Sequence, residues 1–356
     1  MPRYDVNELK KFVARFFVRL NVPPEDARVA AEVLVTADLR GVESHGVIRL
    51  HSYYGSRILQ GLLDPVTMLR VVQETDTTLL LDAGNGLGMV AGYQAMRRCI
   101  QKAGQHGLAA VTVRNSNHYG IAGYYAMMAL EEDMIGLSLT NSQPLVAPTY
   151  GRTRLLGTNP IAVAVPAGEG VRPFVLDMAT SIVPIGRITV YQAKGQPIPA
   201  GWGVDHDGQM TTNPAEVLDG ALMPLGGPDY LRGYKGYGLA LVVDILCGVL
   251  SGGLFGSAVG HPHRPAGVGH FFAALRVDAF RDPRSFAVDM QALLEELRNA
   301  PKEVGQERIY IHGEKEFEMA ERYLQEGVPL LDSTVQALCQ AAEQVGLQFD
   351  LQPLAD

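Results

Sequence analysis

Residues 79–88 read LLLDAGNGLG, a leucine run that passes into a turn with three glycines. A short apolar run bounded by glycines is typical of a buried strand, and the segment that follows, 89–103, favours a helix. A strand that leads through a tight turn into a helix is a building unit of α/β proteins. This stretch therefore predicts a sheet with packed helices at the centre of the chain.

The same stretch can be compared with the phosphate loop of a Rossmann fold. Gly84 and Gly86 have the spacing of that motif, but Met89 stands where its third glycine belongs. The next predicted strand ends at Arg114, where such a site needs an acidic residue for the ribose. We therefore interpret the glycines as a connection that lets the strand and the helix pack closely.

Strands and helices alternate on both sides of this stretch. The predicted strands are 77–81, 109–113, 135–140, 161–165, 174–176 and 270–277, and the predicted helices among them are 89–103, 120–132 and 236–250. Residues 184–230 are rich in proline, glycine and turn dipeptides, and we expect them to form a long ordered excursion. The fold class is α/β or α+β with a mixed sheet.

Both ends of the chain are predicted to be helical. Two helices fill the first 40 residues, and a third is predicted from Ser44 to just before Gly61. The predicted C-terminal helices are 283–298, 314–326 and 333–345. We expect residues 1–72 to pack with residues 280–356 as a helical part beside a mixed α/β domain, 73–279.

Composition excludes several classes of protein. Apolar residues make up 47% and charged residues 19%, which excludes a disordered chain and a coiled coil. The net charge of -8 argues against nucleic acid as a partner, whereas a small anionic substrate needs only local positive charge.

The three cysteines form no CxxC pair, no zinc pattern and no disulfide framework, as is usual in a reducing compartment. The first residues show no signal-peptide pattern. The most apolar stretch, 236–255, contains Asp244 and several glycines, so we interpret it as a core helix rather than a membrane span. A cytoplasmic protein is expected.

Residues 40–49, RGVESHGVIR, are the first candidate for chemistry. Ser44 is a suitable N-cap for the predicted third helix, and His45 would then lie in the positive field of that helix N-terminus. Arg49, four residues later, would share a helix face with His45. An imidazole beside a guanidinium suits a 2-oxo or 2-hydroxy acid, because the imidazole exchanges a proton while the guanidinium binds the carboxylate. The alternative is a capped helix with an exposed His and Arg.

Other candidates follow predicted strand ends or precede the apolar helix. His118, in RNSNHYG, is a second acid/base candidate or a turn histidine bonded to the backbone. Asp177, in DMATS, either binds ribose hydroxyls, orients a histidine or caps a helix. Lys235 lies among glycines and meets a phosphate or carboxylate, or is an ordinary loop lysine. No acid or cysteine completes a metal set with His261 and His263, so no metal is predicted.

Five separated motifs resemble those of the type-2 malate/L-lactate dehydrogenase family. In chain order they are DLRGVESHG at 38–46, NSNHYG at 115–120, GTNP at 157–160, DMATS at 177–181 and YKGYG at 234–238. The similarity spans nearly the whole chain, as far as IHGEK at 311–315, and is greatest to archaeal-type malate dehydrogenases through IAGYY at 121–125 and PLVAP at 144–148.

The resemblance implies an NAD- or NADP-binding mixed-sheet domain that is not a Rossmann fold, beside a helical domain built from both termini. It also implies a homodimer with the site between the domains. His45 and His118 match two histidines given the acid/base role, Ser44 supports His45, and Arg49 matches a substrate-carboxylate contact. The positions that match nucleotide-binding residues are Ser142, Asp177, Met178, Ala179, Lys235, Gly313, Glu314 and Lys315.

The implied reaction is reversible hydride transfer between NAD(P) and an (S)-2-hydroxy acid, with malate and oxaloacetate as the expected pair. The alternatives within the family are sulfolactate, lactate and ureidoglycolate dehydrogenases and a cyclic imino-acid reductase. A hypothesis of another class is a non-catalytic protein that binds a 2-oxo acid. The choice between NAD and NADP, and between His45 and His118 as the proton-transferring group, stays open.

Overall fold

A computed structural model describes residues 1–354 of the chain. The helices are α1 (Val6–Arg19), α2 (Pro24–Leu39), α3 (Ser56–Leu59), α4 (Gly88–His106), α5 (Ala122–Met128), α6 (Ile185–Ala193), α7 (Pro214–Asp219), α8 (Tyr234–Asp244), α9 (Pro283–Asn299), α10 (Glu314–Glu326) and α11 (Asp332–Gln344). The strands are β1 (Arg3–Tyr4), β2 (Arg70–Glu74), β3 (Thr78–Asp82), β4 (Leu108–Ser116), β5 (Met134–Thr140), β6 (Ile161–Val165), β7 (Phe174–Met178), β8 (Gly203–Val204), β9 (Ala221–Leu222), β10 (Val268–Arg276) and β11 (Val328–Pro329).

The centre of the molecule is a mixed sheet that, within residues 1–354, has seven strands in the order β2-β3-β4-β10-β5-β6-β7. Strands β3 and β4 run parallel, while the other neighbouring pairs are antiparallel. The predicted mixed α/β fold is confirmed, and each predicted strand lies within or beside an observed one. Strand β2 was not predicted, because all five of its residues are exposed and no apolar alternation marks it.

The glycine-rich turn after β3 connects it through α4 to β4. A Cβ on Gly88 would lie 2.0 Å from the main-chain oxygen of Asn117, so the absence of a side chain there lets α4 pack against the end of β4. The Asn117 amide group donates to the Gly86 carbonyl, and the Leu87 N–H donates to the Thr67 hydroxyl at 3.0 Å. The polar groups of this turn are thus bonded within the protein itself.

The two ends of the chain meet. Strand β1 pairs with β11, and the rings of Phe12 and Phe349 pack edge to face with centroids 5.3 Å apart. Helix α9 does not share this contact between the two ends of the chain. Its Leu294 packs with Ala167 and Ile311 beside the β6–β7 edge of the sheet. The proposed division into residues 1–72 with 280–356 and 73–279 stays a prediction.

The apolar stretch predicted as a core helix forms α8 followed by a π-helical turn, Ile245–Val249. One side is buried through Ala240, Val243 and Cys247, while apolar side chains on the other side stay exposed. None of the helices within residues 1–354 is long and apolar enough to cross a membrane. Within the same residues, no group of three His, Cys, Asp or Glu side chains is arranged to hold a metal ion.

Candidate active site

A cavity of about 510 Å³ lies where the 40–45 turn, the start of α5, the segment before β6 and the end of β7 face a turn at 310–316. The predicted site residues that line it are Ser44, His45, Asp177, Met178, Ala179, Gly313 and Lys315. They come from distant parts of the sequence, so the fold brings most of the predicted site to one place. Arg40, Tyr310 and His312 also line the cavity. Arg40 and His312 lie inside the quoted motifs but were not named as site residues, and Tyr310 lies just before IHGEK.

The structure corrects the third predicted helix. Ser44 and His45 lie in a single 3₁₀ turn, Glu43–His45, and the helical segment resumes only at Leu50. The break occurs because Gly46 is extended, with φ -87° and ψ -151°. Ser44 is therefore not the N-cap of that segment, and His45 does not lie in its first turn.

Ser44 instead contacts the imidazole directly. Its hydroxyl lies 2.9 Å from Nδ1 of His45, and its carbonyl accepts a hydrogen bond from Nε of Arg49 at 2.8 Å. Burial, and secondarily the charge of Arg49, lowers the pKa of His45 to about 4. His45 is thus neutral at physiological pH, next to a guanidinium, although for a different reason than the predicted helix field.

His118 joins this pair from the other side. It follows the end of β4, and its ring stacks on His45 with centroids 5.5 Å apart. The Tyr54 hydroxyl lies 2.7 Å from Nδ1 of His118. Burial first, and then the charges of His45 and Arg49, holds the pKa of His118 well below its usual range. The two candidate histidines are therefore neighbours, and both are neutral near pH 7.

Asp177 lies at the end of β7 and faces the start of α5. Its carboxylate accepts a hydrogen bond from the Gly123 N–H at 2.7 Å, which corresponds to the helix-capping alternative for this residue. Burial raises the pKa of Asp177 to about 6, against the opposing effects of that N–H and of Arg40. Arg40 is itself buried and lines the same cavity.

The turn before α10 closes the opposite wall of the cavity. Gly313 adopts φ +94°, a conformation that favours glycine, and a Cβ there would lie 3.0 Å from Cβ of Val175 in β7. The Glu314 carboxylate is bonded to Arg298, Arg308 and the Ile311 N–H, so it braces the turn instead of facing the cavity.

Comparisons with known proteins identify the family. The family model for malate/L-lactate dehydrogenase matches residues 4–339. The chain belongs to this family. The resemblance predicted from the five motifs is thereby confirmed.

Individual relatives agree with that assignment. This dehydrogenase is 47% identical over 349 residues to the malate dehydrogenase of Pyrococcus abyssi, across 97% of this chain and 96% of the relative. It is 39% identical over 310 residues to the L-sulfolactate dehydrogenase of Methanocaldococcus jannaschii, across 86% of this chain and 87% of the relative. The structure of malate dehydrogenase from Pyrococcus horikoshii OT3 matches with a TM-score of 0.90 at 45% identity, covering 97% of this chain and 96% of that one.

Five predicted positions of the dehydrogenase lie outside the cavity lining, namely Arg49, His118, Glu314, Ser142 and Lys235. The Ser142 hydroxyl accepts from the Thr158 N–H at 3.1 Å, and Thr158 lines the cavity, so Ser142 supports the wall from behind. Lys235 is exposed on the first turn of α8. The roles of Ser142 and Lys235 as cofactor contacts stay predictions.

Asp38 was missed as a candidate, although it fixes the turn that carries His45. Its carboxyl is buried and accepts from the Val47 N–H at 2.8 Å, just beyond Gly46. Burial raises the pKa of Asp38 to about 8, so this group is mostly protonated at neutral pH. Asp38 begins the DLRGVESHG motif, but its position within the helical rhythm of α2 did not single it out, because contact with the turn arises only in the folded chain.

Asp38→Asn is expected to keep the fold and to flatten the pH dependence of stability. The folded-state pKa of about 8 lies above the ordinary value of 3.8, so this stabilising contribution is full below pH 4 and is lost as the pH rises through 8. Between pH 5 and 7 the wild type should lose on the order of 2 kcal/mol more than the variant. Urea unfolding at both pH values measures this difference, and parallel losses in the two proteins would contradict it.

Proposed function

We propose that this dehydrogenase catalyses reversible hydride transfer between NAD or NADP and an (S)-2-hydroxy acid, with malate and oxaloacetate as the pair. The observation that carries the proposal is the stacked pair His45 and His118 with Arg49 beside them, at the edge of a cavity whose walls carry the family motifs. The 47% identity to the malate dehydrogenase of Pyrococcus abyssi supports malate.

Arg49 is suited to bind the substrate carboxylate. Its Nε is fixed on the Ser44 carbonyl, and within residues 1–354 neither of its terminal nitrogens has a hydrogen-bond partner. Two parallel N–H groups on a guanidinium whose base is fixed match the geometry of a carboxylate. A bound 2-hydroxy acid would then place its C2 oxygen towards the two imidazoles.

The cofactor would lie in the cavity and not at the glycine-rich turn. Two observations support this placement. The polar groups of the turn are bonded to Asn117 and Thr67. The cavity instead offers an exposed cation, Lys315, and a main-chain turn at Gly313 that lies against Val175 of β7. A nicotinamide dinucleotide needs such a positive, open groove for its phosphates. The binding mode is then not that of a Rossmann fold.

The proposed cofactor residues come from both parts of the chain. Asp177, Met178 and Ala179 belong to the mixed α/β part, while Gly313 and Lys315 belong to the C-terminal part. This arrangement supports a site between two domains, with residues 1–72 and 280–356 as the helical one.

A homodimer is part of the proposal. The outer face of α8 and the turn after it leave apolar side chains 39–56% exposed, and the residues concerned are Leu239, Val242, Ile245, Val249 and Leu250. A continuous apolar face of this kind marks an interface, and a second copy of this chain is the expected partner. Light scattering should give about twice the chain mass of 38.5 kDa. A mass equal to that of one chain would reject the dimer.

The chemistry of the chain itself follows from neutral histidines. The nicotinamide ring, when bound, accepts the hydride that leaves C2. An imidazole with a free lone pair takes the proton of the substrate hydroxyl as the C2–O bond becomes a carbonyl, and Arg49 keeps the substrate from rotating. In the opposite direction the protonated imidazole returns that proton.

The absorbance of reduced nicotinamide provides the test. The protein is mixed with NAD or NADP and, in parallel, with (S)-malate, (S)-lactate, (S)-sulfolactate or (S)-ureidoglycolate. Rapid reduction with malate is expected. Faster reduction of the cofactor with sulfolactate would show that the substrate is the one named for the Methanocaldococcus jannaschii relative, and not malate. No reduction of the cofactor in any mixture would favour an imino-acid reductase or a protein that binds 2-oxo acids without turnover.

A further inference from the structure

Tyr54 is a buried tyrosine whose hydroxyl contacts a histidine of the site. Its side chain is fully buried in the π-helical segment Leu50–Gly55, with its ring packed edge to face on Phe17 at 6.2 Å. The hydroxyl lies 2.7 Å from Nδ1 of His118. Packing on all sides holds it there, so this bond is a fixed feature of the imidazole.

A second hydrogen-bond donor contacts Nδ1 of His118. The main-chain N–H of Gly120 donates to Nδ1 of His118 at 3.3 Å. An amide N–H can only donate, so this contact favours the tautomer with its lone pair on Nδ1, but at 3.3 Å it is too long to fix that tautomer without the shorter Tyr54 bond. The Tyr54 hydroxyl is then also a donor to Nδ1, and the proton of the neutral imidazole is on Nε2.

His45 has a different partner. Its Nδ1 faces the Ser44 hydroxyl, which can either donate or accept, so either tautomer of His45 is satisfied. With Nδ1–H donated to Ser44, Nε2 of His45 carries a lone pair. The two stacked imidazoles are therefore not equivalent, although both are neutral.

We propose that Tyr54 is a positioning residue which, with the Gly120 N–H, holds His118 as the Nε2–H tautomer, so that His118 donates a hydrogen bond to the substrate oxygen while His45 exchanges the proton. The second half of this statement rests on the proposed function. In oxidation the C2–H bond breaks with its electron pair passing to the nicotinamide, the O–H proton passes to Nε2 of His45, and the oxygen becomes a carbonyl that His118 holds. His118 stays neutral throughout.

The tautomer can be observed without turnover. Protein labelled with ¹⁵N in histidine gives long-range proton–nitrogen spectra in which a protonated and an unprotonated ring nitrogen are distinct, and His118→Gln identifies the signals. We expect an unprotonated Nδ1 and a protonated Nε2 in the wild type. A protonated Nδ1 would overturn the proposal, even if the protein catalyses the expected reaction.

Tyr54→Phe tests the role of the hydroxyl. The variant should show His118 as a mixture of tautomers and a kcat lower by about tenfold with an unchanged KM for the nicotinamide. Tyr125→Phe is the matched control, because Tyr125 is equally buried and, within residues 1–354, its hydroxyl bonds the Tyr119 carbonyl and no histidine. An unchanged tautomer in Tyr54→Phe, or an equal loss of kcat in the control, would contradict the assignment.

Discussion

Alanine at His45 or at His118 is expected to lower kcat by about 10²-fold or more while leaving the nicotinamide cofactor bound. The His45→Ala variant loses the group that exchanges the proton, and the His118→Ala variant loses the donor that holds the carbonyl oxygen. Neither imidazole is bonded to the residues proposed to hold the cofactor, which lie on the walls formed by β7 and the 310–316 turn. Chemistry and cofactor binding should therefore separate.

Steady-state kinetics measures kcat, and a fluorescence titration with reduced nicotinamide cofactor measures cofactor binding. His106→Ala is the matched control, because His106 is an exposed histidine in the last turn of α4 and belongs to no part of the site. Near-normal turnover in both site variants would contradict the acid/base assignment. Loss of cofactor binding together with turnover would show instead that the imidazoles shape the cofactor groove.

Gly88→Ala is expected to destabilise the fold by about 3 kcal/mol and to lower activity with it. The new Cβ would lie 2.0 Å from the Asn117 oxygen and 2.5 Å from the His118 oxygen, both of which are main-chain atoms that cannot rotate away. Relief requires α4 or the end of β4 to move. Since that strand end positions His118, a shift of the backbone there displaces the imidazole from Tyr54.

Gly104→Ala is the control within the same helix. Its added Cβ would meet only Met134 Cε at 3.7 Å, an ordinary contact, so alanine should stabilise α4 by up to about 1 kcal/mol. Urea unfolding midpoints measure both effects. Equal stability of the two variants would mean that α4 and the end of β4 are not in direct contact.

Much of the site was predictable from sequence. His45, Arg49, His118 and Asp177 were named from residue chemistry and position, and the family motifs added Gly313 and Lys315. Such residues can be singled out because an imidazole, a guanidinium and a carboxylate offer few chemical roles, and their roles here stay predictions. The element bounds succeeded for a related reason: apolar periodicity and proline positions mark helices such as α10, observed at Glu314–Glu326 where 314–326 was predicted.

Other features depended on contacts between residues that are distant in sequence. The prediction of the third helix was wrong because the buried Asp38 side chain, from α2, accepts a hydrogen bond from the Val47 N–H while Gly46 is extended. Local helix propensity predicts neither of these features. Tyr54 gave no signal because a tyrosine in an apolar segment is usually a core residue, and only the fold brings its hydroxyl 2.7 Å from His118.

The sequence by itself thus determined the mixed α/β class, the family and the chemistry of the site residues, because these depend on residue type and spacing along the chain. The tertiary structure alone decided that the two histidines stack, which groups contact Nδ1 of His118 and why His45 is neutral. Those properties are set by burial and by hydrogen-bond partners, and both depend on which distant segments pack together.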